Sequence, residues 1–245
     1  MIPLRDSEAE HRLTPINTLL IVANSAVFAL EMRLGPHALR ELQRFAMVPA
    51  TITHHRSGAF ITLITALFLH AGFAHIAGNM LYLFIFGPAI EERMGWRRYL
   101  IFYLLAGIIA GLAMVAMGPE SRIPVVGASG AIAGILGAYL ALFPGGRISA
   151  LFPVFFFVRV LEIPAIVYLI VWFALQLYSG LASGSGPVIG GVAWWAHVGG
   201  FAAGFVVAWM LERAHHLRPP VEVILPAGQL PTVFGHRRPP SIYRE

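Results

Sequence analysis

The chain has 245 residues, 58% of them hydrophobic and only 12% charged, with a mean hydropathy of +0.73. A soluble domain carries charge on about a quarter of its residues, so this composition excludes a water-soluble globule and describes a polytopic membrane protein. The net charge is +5 and all 17 basic residues are Arg, yet no RNP, zinc-finger or basic-helix pattern points to nucleic acid; the absence of Cys excludes disulfides, thiolate metal sites and a Cys nucleophile together.

Residues 1–13 mix both charge signs and contain no cleavage-site pattern, so they read as a retained cytoplasmic segment rather than a removable signal. A core over 14–211 follows, with six apolar stretches long enough to span a bilayer: 14–33, 70–90, 97–117, 128–143, 160–179 and 192–211. Thr14-Pro15 supplies an N-cap and first-turn proline for the first span, and Pro144-Gly145-Gly146 stops the fourth. The expected fold is an all-α membrane protein, a six-transmembrane-helix bundle with a long first loop over 34–69. That loop carries Phe45, Met47, Val48, Phe60, Ile61, Leu63 and Ile64, which suit the membrane interface or the flank of the bundle. Residues 212–245, rich in Pro and Arg, have no sustained apolar period and read as a disordered tail.

Arg placement orients the chain. With the N-terminus inside, twelve of the seventeen Arg fall on the inner side, so both termini are expected in the cytoplasm. The absence of Lys and the compact six-span plan suggest a bacterial inner membrane.

Ionisable residues within spans are costly and mark function unless a partner explains them. Here they are His70, His75, Glu162 and His197, accompanied by the uncharged Asn24, Asn79, Gln176, Ser25, Ser129 and Ser179. The single Asp, Asp6, lies outside every span, which excludes an intramembrane aspartyl protease, and no His-Glu-x-x-His occurs to bind catalytic zinc. No metal or cofactor is expected. Glu162 follows Arg159 by three, and an i,i+3 ion pair on one helix accounts for it.

Ser129 lies in Gly127-Ala128-Ser129-Gly130 at the head of the fourth span. A small residue there permits close helix packing, but the first helical turn also offers unpaired N–H groups and the positive end of the dipole to developing negative charge. His197, Gly200 and Gly204 recur at i, i+3 and i+7, so one helix face carries an imidazole beside two glycines. If that face packs on the Gly130, Gly134, Gly137 stripe, the imidazole reaches Ser129, forming a Ser-His dyad without a carboxylate and oriented by packing. His75 and Asn79, four apart, point into the same space as two hydrogen-bond donors, whereas His70 points elsewhere.

These residues and their order closely resemble the rhomboid family of intramembrane serine proteases. The resemblance runs from His70-x4-His75-x3-Asn79-Met80 and Phe86-Gly87 through Glu91-Glu92-Arg93-Met94-Gly95 with Tyr99-Leu100. It continues in Gly127-Ala128-Ser129-Gly130-Ala131 and ends in Ala196-His197-Val198-Gly199-Gly200 with Gly204, covering about residues 14–211. It implies Ser129 as nucleophile, His197 as general base and then acid, and an oxyanion hole from the Ser129 backbone N–H, His75 and Asn79. It also implies transmembrane protein substrates, a cavity opening outward, and a gate formed by the fifth helix with the glycine-rich 180–191 loop. Two positions depart from the family: Ile61-Thr62 stands where many members have Trp-Arg, and Ala133 where some place an aromatic against the catalytic His. Two other function classes compete: a catalytically silent, rhomboid-like protein that binds membrane helices, which predicts loss of the Ser or the His although both are present, and a channel or transporter using the intramembrane His as a proton relay, which the absence of repeats and of any intramembrane Asp disfavours.

Overall fold

The computed structural model describes residues 2–11, 13–34, 43–154, 157–183 and 193–218, together with short segments at 232–233 and 236–237. The architecture is a helical membrane bundle with a small sheet at one end. Among the described residues five helices are long and apolar enough to cross a bilayer: α1 (Pro15–Arg33), α4 (Phe73–Met94), α5 (Trp96–Met117), α7 (Ala165–Ser183) and α8 (Trp194–Arg213). Two short helices, α2 (Pro49–Thr53) and α3 (Thr62–Thr65), lie in the first loop.

The expected fourth span is α6 (Ser129–Leu142), whose 14 residues are too few to cross alone. At about 1.5 Å per residue it extends roughly 21 Å, against a hydrocarbon core of roughly 30 Å. It can be short because protein rather than lipid surrounds it: every residue from Gly130 to Tyr139 is buried. Of the six expected spans, five thus have the length to cross a bilayer among the described residues, and the fourth is a shorter helix buried at the centre.

The beginning of α1 is held from a distance. Thr14 has the extended backbone of an N-cap and Pro15 the first position, but the Thr14 hydroxyl makes no capping bond. Instead the Glu91 carboxylate, near the end of α4, accepts the N–H groups of Ile16 at 3.0 Å and Asn17 at 2.7 Å. Asn17 in turn donates to the Leu83 carbonyl and accepts from the Tyr99 hydroxyl, joining α1, α4 and α5. Neighbouring residues extend the junction: Glu92 accepts the N–H groups of Glu10 and His11, and Arg93 donates to the Glu212 carboxylate at 2.5 Å and to the Arg218 carbonyl.

A three-stranded antiparallel sheet in the order β1 (Ile2–Asp6), β2 (Arg147–Val154), β3 (Phe157–Pro164) was not expected from the sequence. Ile2 faces Leu151 and Arg147 faces Pro164. The fifth span therefore begins at Ala165 rather than 160, and Glu162 lies 3.6 Å from Arg147 across the ladder instead of pairing along a helix with Arg159. The run Phe157–Pro164 is apolar and partly β-branched, so hydropathy alone merged a strand with the helix that follows.

The sheet, the α4–α5 corner and residues 214–218 are tied to one end of the bundle, the end at which α6 finishes. Ser129 begins α6 at the opposite end. In the first loop, Met47, Ile52, Ala59, Leu63 and Ala66 pack on Ala110 and Met114 of α5, while Phe45, Phe60 and Ile61 face outward. The loop both covers the bundle and presents an apolar rim. Residues 35–42, the 184–192 part of the expected gate loop, and the expected tail from 219 onward, apart from 232–233 and 236–237, lie outside the described residues.

Candidate active site

The site is built on a contact of backbone against backbone. Facing glycines bring the α6 and α8 backbones into contact: a Cβ added at Gly204 would lie 2.0 Å from the Gly134 carbonyl oxygen, and one at Gly200 would lie 2.1 Å from that of Gly130. No side chain fits such a gap, so glycine is required for the helices to approach this closely. The seam sets the register of the two helices, and one turn above it Ser129 meets His197. Ser129 Oγ lies 2.8 Å from His197 Nε2.

The other ring nitrogen is engaged as well. His197 Nδ1 lies 2.8 Å from Gln176 Oε1 of α7, and both side chains are buried, at 9% and 8% exposure. An amide oxygen only accepts, so Nδ1 carries the proton and Nε2 presents its lone pair to the Ser129 hydroxyl. Trp172 lies with its ring centroid 5.9 Å from the imidazole at 34°, and Trp194 meets it edge-on at 6.3 Å and 89°. Ala133, at the position of the missing family aromatic, is fully buried. The ring is thus flanked from α7 and α8 instead of from α6. Gln176 entered the sequence reading only as a polar companion; its signal was an amide in an otherwise apolar span, four residues after Trp172 and so on the same face.

The donor pair reaches the same end of α6 through Gly127. This residue has φ of +118°, in the region disfavoured for a side chain, and its N–H donates to the Ala66 carbonyl at 2.8 Å. A Cβ here would lie 2.6 Å from His75 Cε1, 2.7 Å from Nε2 and 3.5 Å from Asn79 Nδ2. His75 and Asn79 therefore lie against the backbone that enters the Ser129 turn. His75 Nδ1 accepts the Ala71 N–H at 3.3 Å, which leaves the ring proton on Nε2, the atom beside Gly127. Asn79 is buried, and its Nδ2 has no hydrogen-bond partner. A buried unmade amide donor costs about 1–3 kcal/mol, the condition expected of a group waiting for an acceptor.

His70, expected to point away, instead lies beside His75 with ring centroids 5.2 Å apart. Its backbone N–H faces the Glu31 carboxylate at 3.3–3.4 Å. Glu31, buried near the end of α1, was missed among the intramembrane ionisable groups. Among the described residues no group of three His, Cys, Asp or Glu is arranged to hold a metal ion.

Comparison with known proteins agrees with this architecture. Residues 57–214 match the Rhomboid domain family. The chain is 36% identical over 133 residues to YdcA of Bacillus subtilis, covering 53% of this chain and 63% of YdcA. It is 37% identical over 128 residues to rhomboid protease GluP of the same organism, covering 51% of this chain and 24% of GluP. It is 26% identical over 197 residues to the chloroplastic Rhomboid-like protein 11 of Arabidopsis thaliana, covering 78% of this chain and 66% of that protein. The chain spans between a quarter and two thirds of the length of these relatives. With a family match across more than half its residues and a bundle of apolar helices, the chain is an integral membrane protein and belongs to the rhomboid family.

Proposed function

We propose that the protein is an intramembrane serine endopeptidase acting on membrane-protein substrates in the lipid bilayer. The observation that carries this reading is the 2.8 Å contact between Ser129 Oγ and an imidazole whose other nitrogen is already occupied. Ser129 Oγ attacks the scissile carbonyl carbon while His197 Nε2 takes the hydroxyl proton; the imidazolium then gives that proton to the leaving amine. Water repeats the sequence on the acyl-enzyme and releases Ser129. The charge that develops on the carbonyl oxygen is met by the Ser129 backbone N–H, His75 Nε2–H and Asn79 Nδ2–H, preorganised donors at the positive end of α6.

The short, buried α6 supports a site below the membrane surface, and Arg distribution favours an opening toward the outside with both termini cytoplasmic. The sheet and residues 214–218 at the far end agree with that sidedness, as a common inner face for the N-terminal segment and the end of α8. A bacterial inner membrane remains part of the proposal.

The test is cleavage of a single-span substrate by detergent-purified protein, beside Ser129→Ala and His197→Ala. Each variant is expected to lose at least about 10³-fold in kcat, and a fluorophosphonate should label the parent on Ser129 and neither variant. Cleavage or labelling that survives in both variants overturns the dyad. Absence of both in the folded parent favours a silent helix-binding member of the family.

A further inference from the structure

We propose that Gln176 is a positioning residue for His197, its side-chain carbonyl holding the imidazole in the tautomer that leaves Nε2 free to act as base. The proposal rests on the serine-protease reading above and adds to it a third polar member. In a Ser-His-Asp arrangement a carboxylate fixes the ring and the tautomer; here the 2.8 Å contact from His197 Nδ1 to Gln176 Oε1 occupies the equivalent place. A neutral amide suits the location. A carboxylate buried among apolar helices would bear a large desolvation cost or take up a proton, whereas an amide oxygen accepts the Nδ1–H bond at no ionisation cost and accepts it equally from imidazolium.

The surroundings support a built contact rather than a passing one. Gln176 and Trp172 are four residues apart on one face of α7, and both meet the ring, one at its edge nitrogen and the other with its indole at 5.9 Å. Ala133 leaves the α6 side without an aromatic, so orientation falls to α7. The plainer account is a polar side chain that glues α7 to α8, as amides do between membrane helices.

The two accounts predict different responses to two near-isosteric changes. Gln176→Leu keeps the bulk and removes the acceptor; Gln176→Glu keeps the acceptor and loses the amide donor. Positioning predicts that Gln176→Leu lowers kcat of the folded protein about 100-fold, leaves KM within about twofold and slows fluorophosphonate labelling of Ser129 in parallel, beyond the modest fall in unfolding temperature expected from an Nδ1–H left without an acceptor. It predicts that Gln176→Glu restores most of that rate. Gluing predicts that the folded fraction of both variants turns over and labels at the parental rate, each losing stability according to the hydrogen bond it gives up. Parental turnover and labelling by Gln176→Leu overturns the proposal, as does a folded Gln176→Glu no faster than Gln176→Leu. The failure of the underlying reading is separate, because it shows as cleavage that persists in Ser129→Ala and His197→Ala.

Discussion

Two sides of His197 are built in different ways. Toward α6 it rests on a glycine seam, where glycine meets carbonyl oxygen and ten consecutive residues of α6 are buried. Toward α7 it meets long side chains, the Gln176 amide and the Trp172 ring, projecting from a helix whose other face carries exposed Ile166, Ile170, Leu175 and Tyr178. A close-packed backbone contact has few alternative arrangements, whereas side-chain contacts can part and re-form by rotamer change. Ser129 and His197 thus share a close-packed seam, and the Gln176 amide that meets the imidazole comes from a helix with a large exposed apolar surface.

The most severe way to break this contrast is Gly204→Val. Its branched side chain would enter a gap in which even a Cβ lies 2.0 Å from the Gly134 carbonyl oxygen. Overpacking of this kind costs about 1–3 kcal/mol or more, so a clear fall in the unfolding temperature and loss of nearly all cleavage are expected. A variant that unfolds at the parental temperature would show that the seam is not rigid.

Asn79→Ala separates function from fold. If Asn79 donates to the oxyanion, its loss lowers kcat by about 10²–10³, while removing a buried amide without a partner leaves stability equal or higher. Turnover assays and thermal unfolding of the same sample read the two effects, and a loss in both would assign Asn79 to the framework.

The smallest effect belongs to Tyr82→Phe. The Tyr82 and Tyr168 hydroxyls meet at 2.8 Å between α4 and α7, and Phe86 stacks on Tyr168 nearby. Removing one hydroxyl gives up about 0.5–1.5 kcal/mol. If α7 yields to admit a substrate helix, kcat/KM for a single-span substrate rises a few-fold, roughly the factor that energy permits; an unchanged or lowered value would place entry elsewhere.

Much of the site was legible because its determinants are local. A serine at the head of a glycine-striped helix, an imidazole on a glycine face, and a His-Asn pair four apart are each visible within a few residues. The features that escaped depend on distant partners. β1 finds β2 some 145 residues away, and the hairpin itself is so apolar that a hydropathy window cannot separate it from α7. Gln176 is a polar residue whose role appears only when α7 lies against α8. Glu31 and His70 were misread for a related reason, since their neighbours come from the far ends of α1 and the first loop.

The capping of α1 by Glu91 has a bearing on how the protein is made. A membrane helix is synthesised before the segments downstream of it, yet the first-turn amides of Ile16 and Asn17 find their acceptor 75 and 74 residues later. Until α4 has been inserted to its last turn, those amides have only water or the headgroup region to serve them. The first turn of α1 is therefore satisfied only once the Glu91–Gly95 corner has formed, at the end of the bundle away from Ser129.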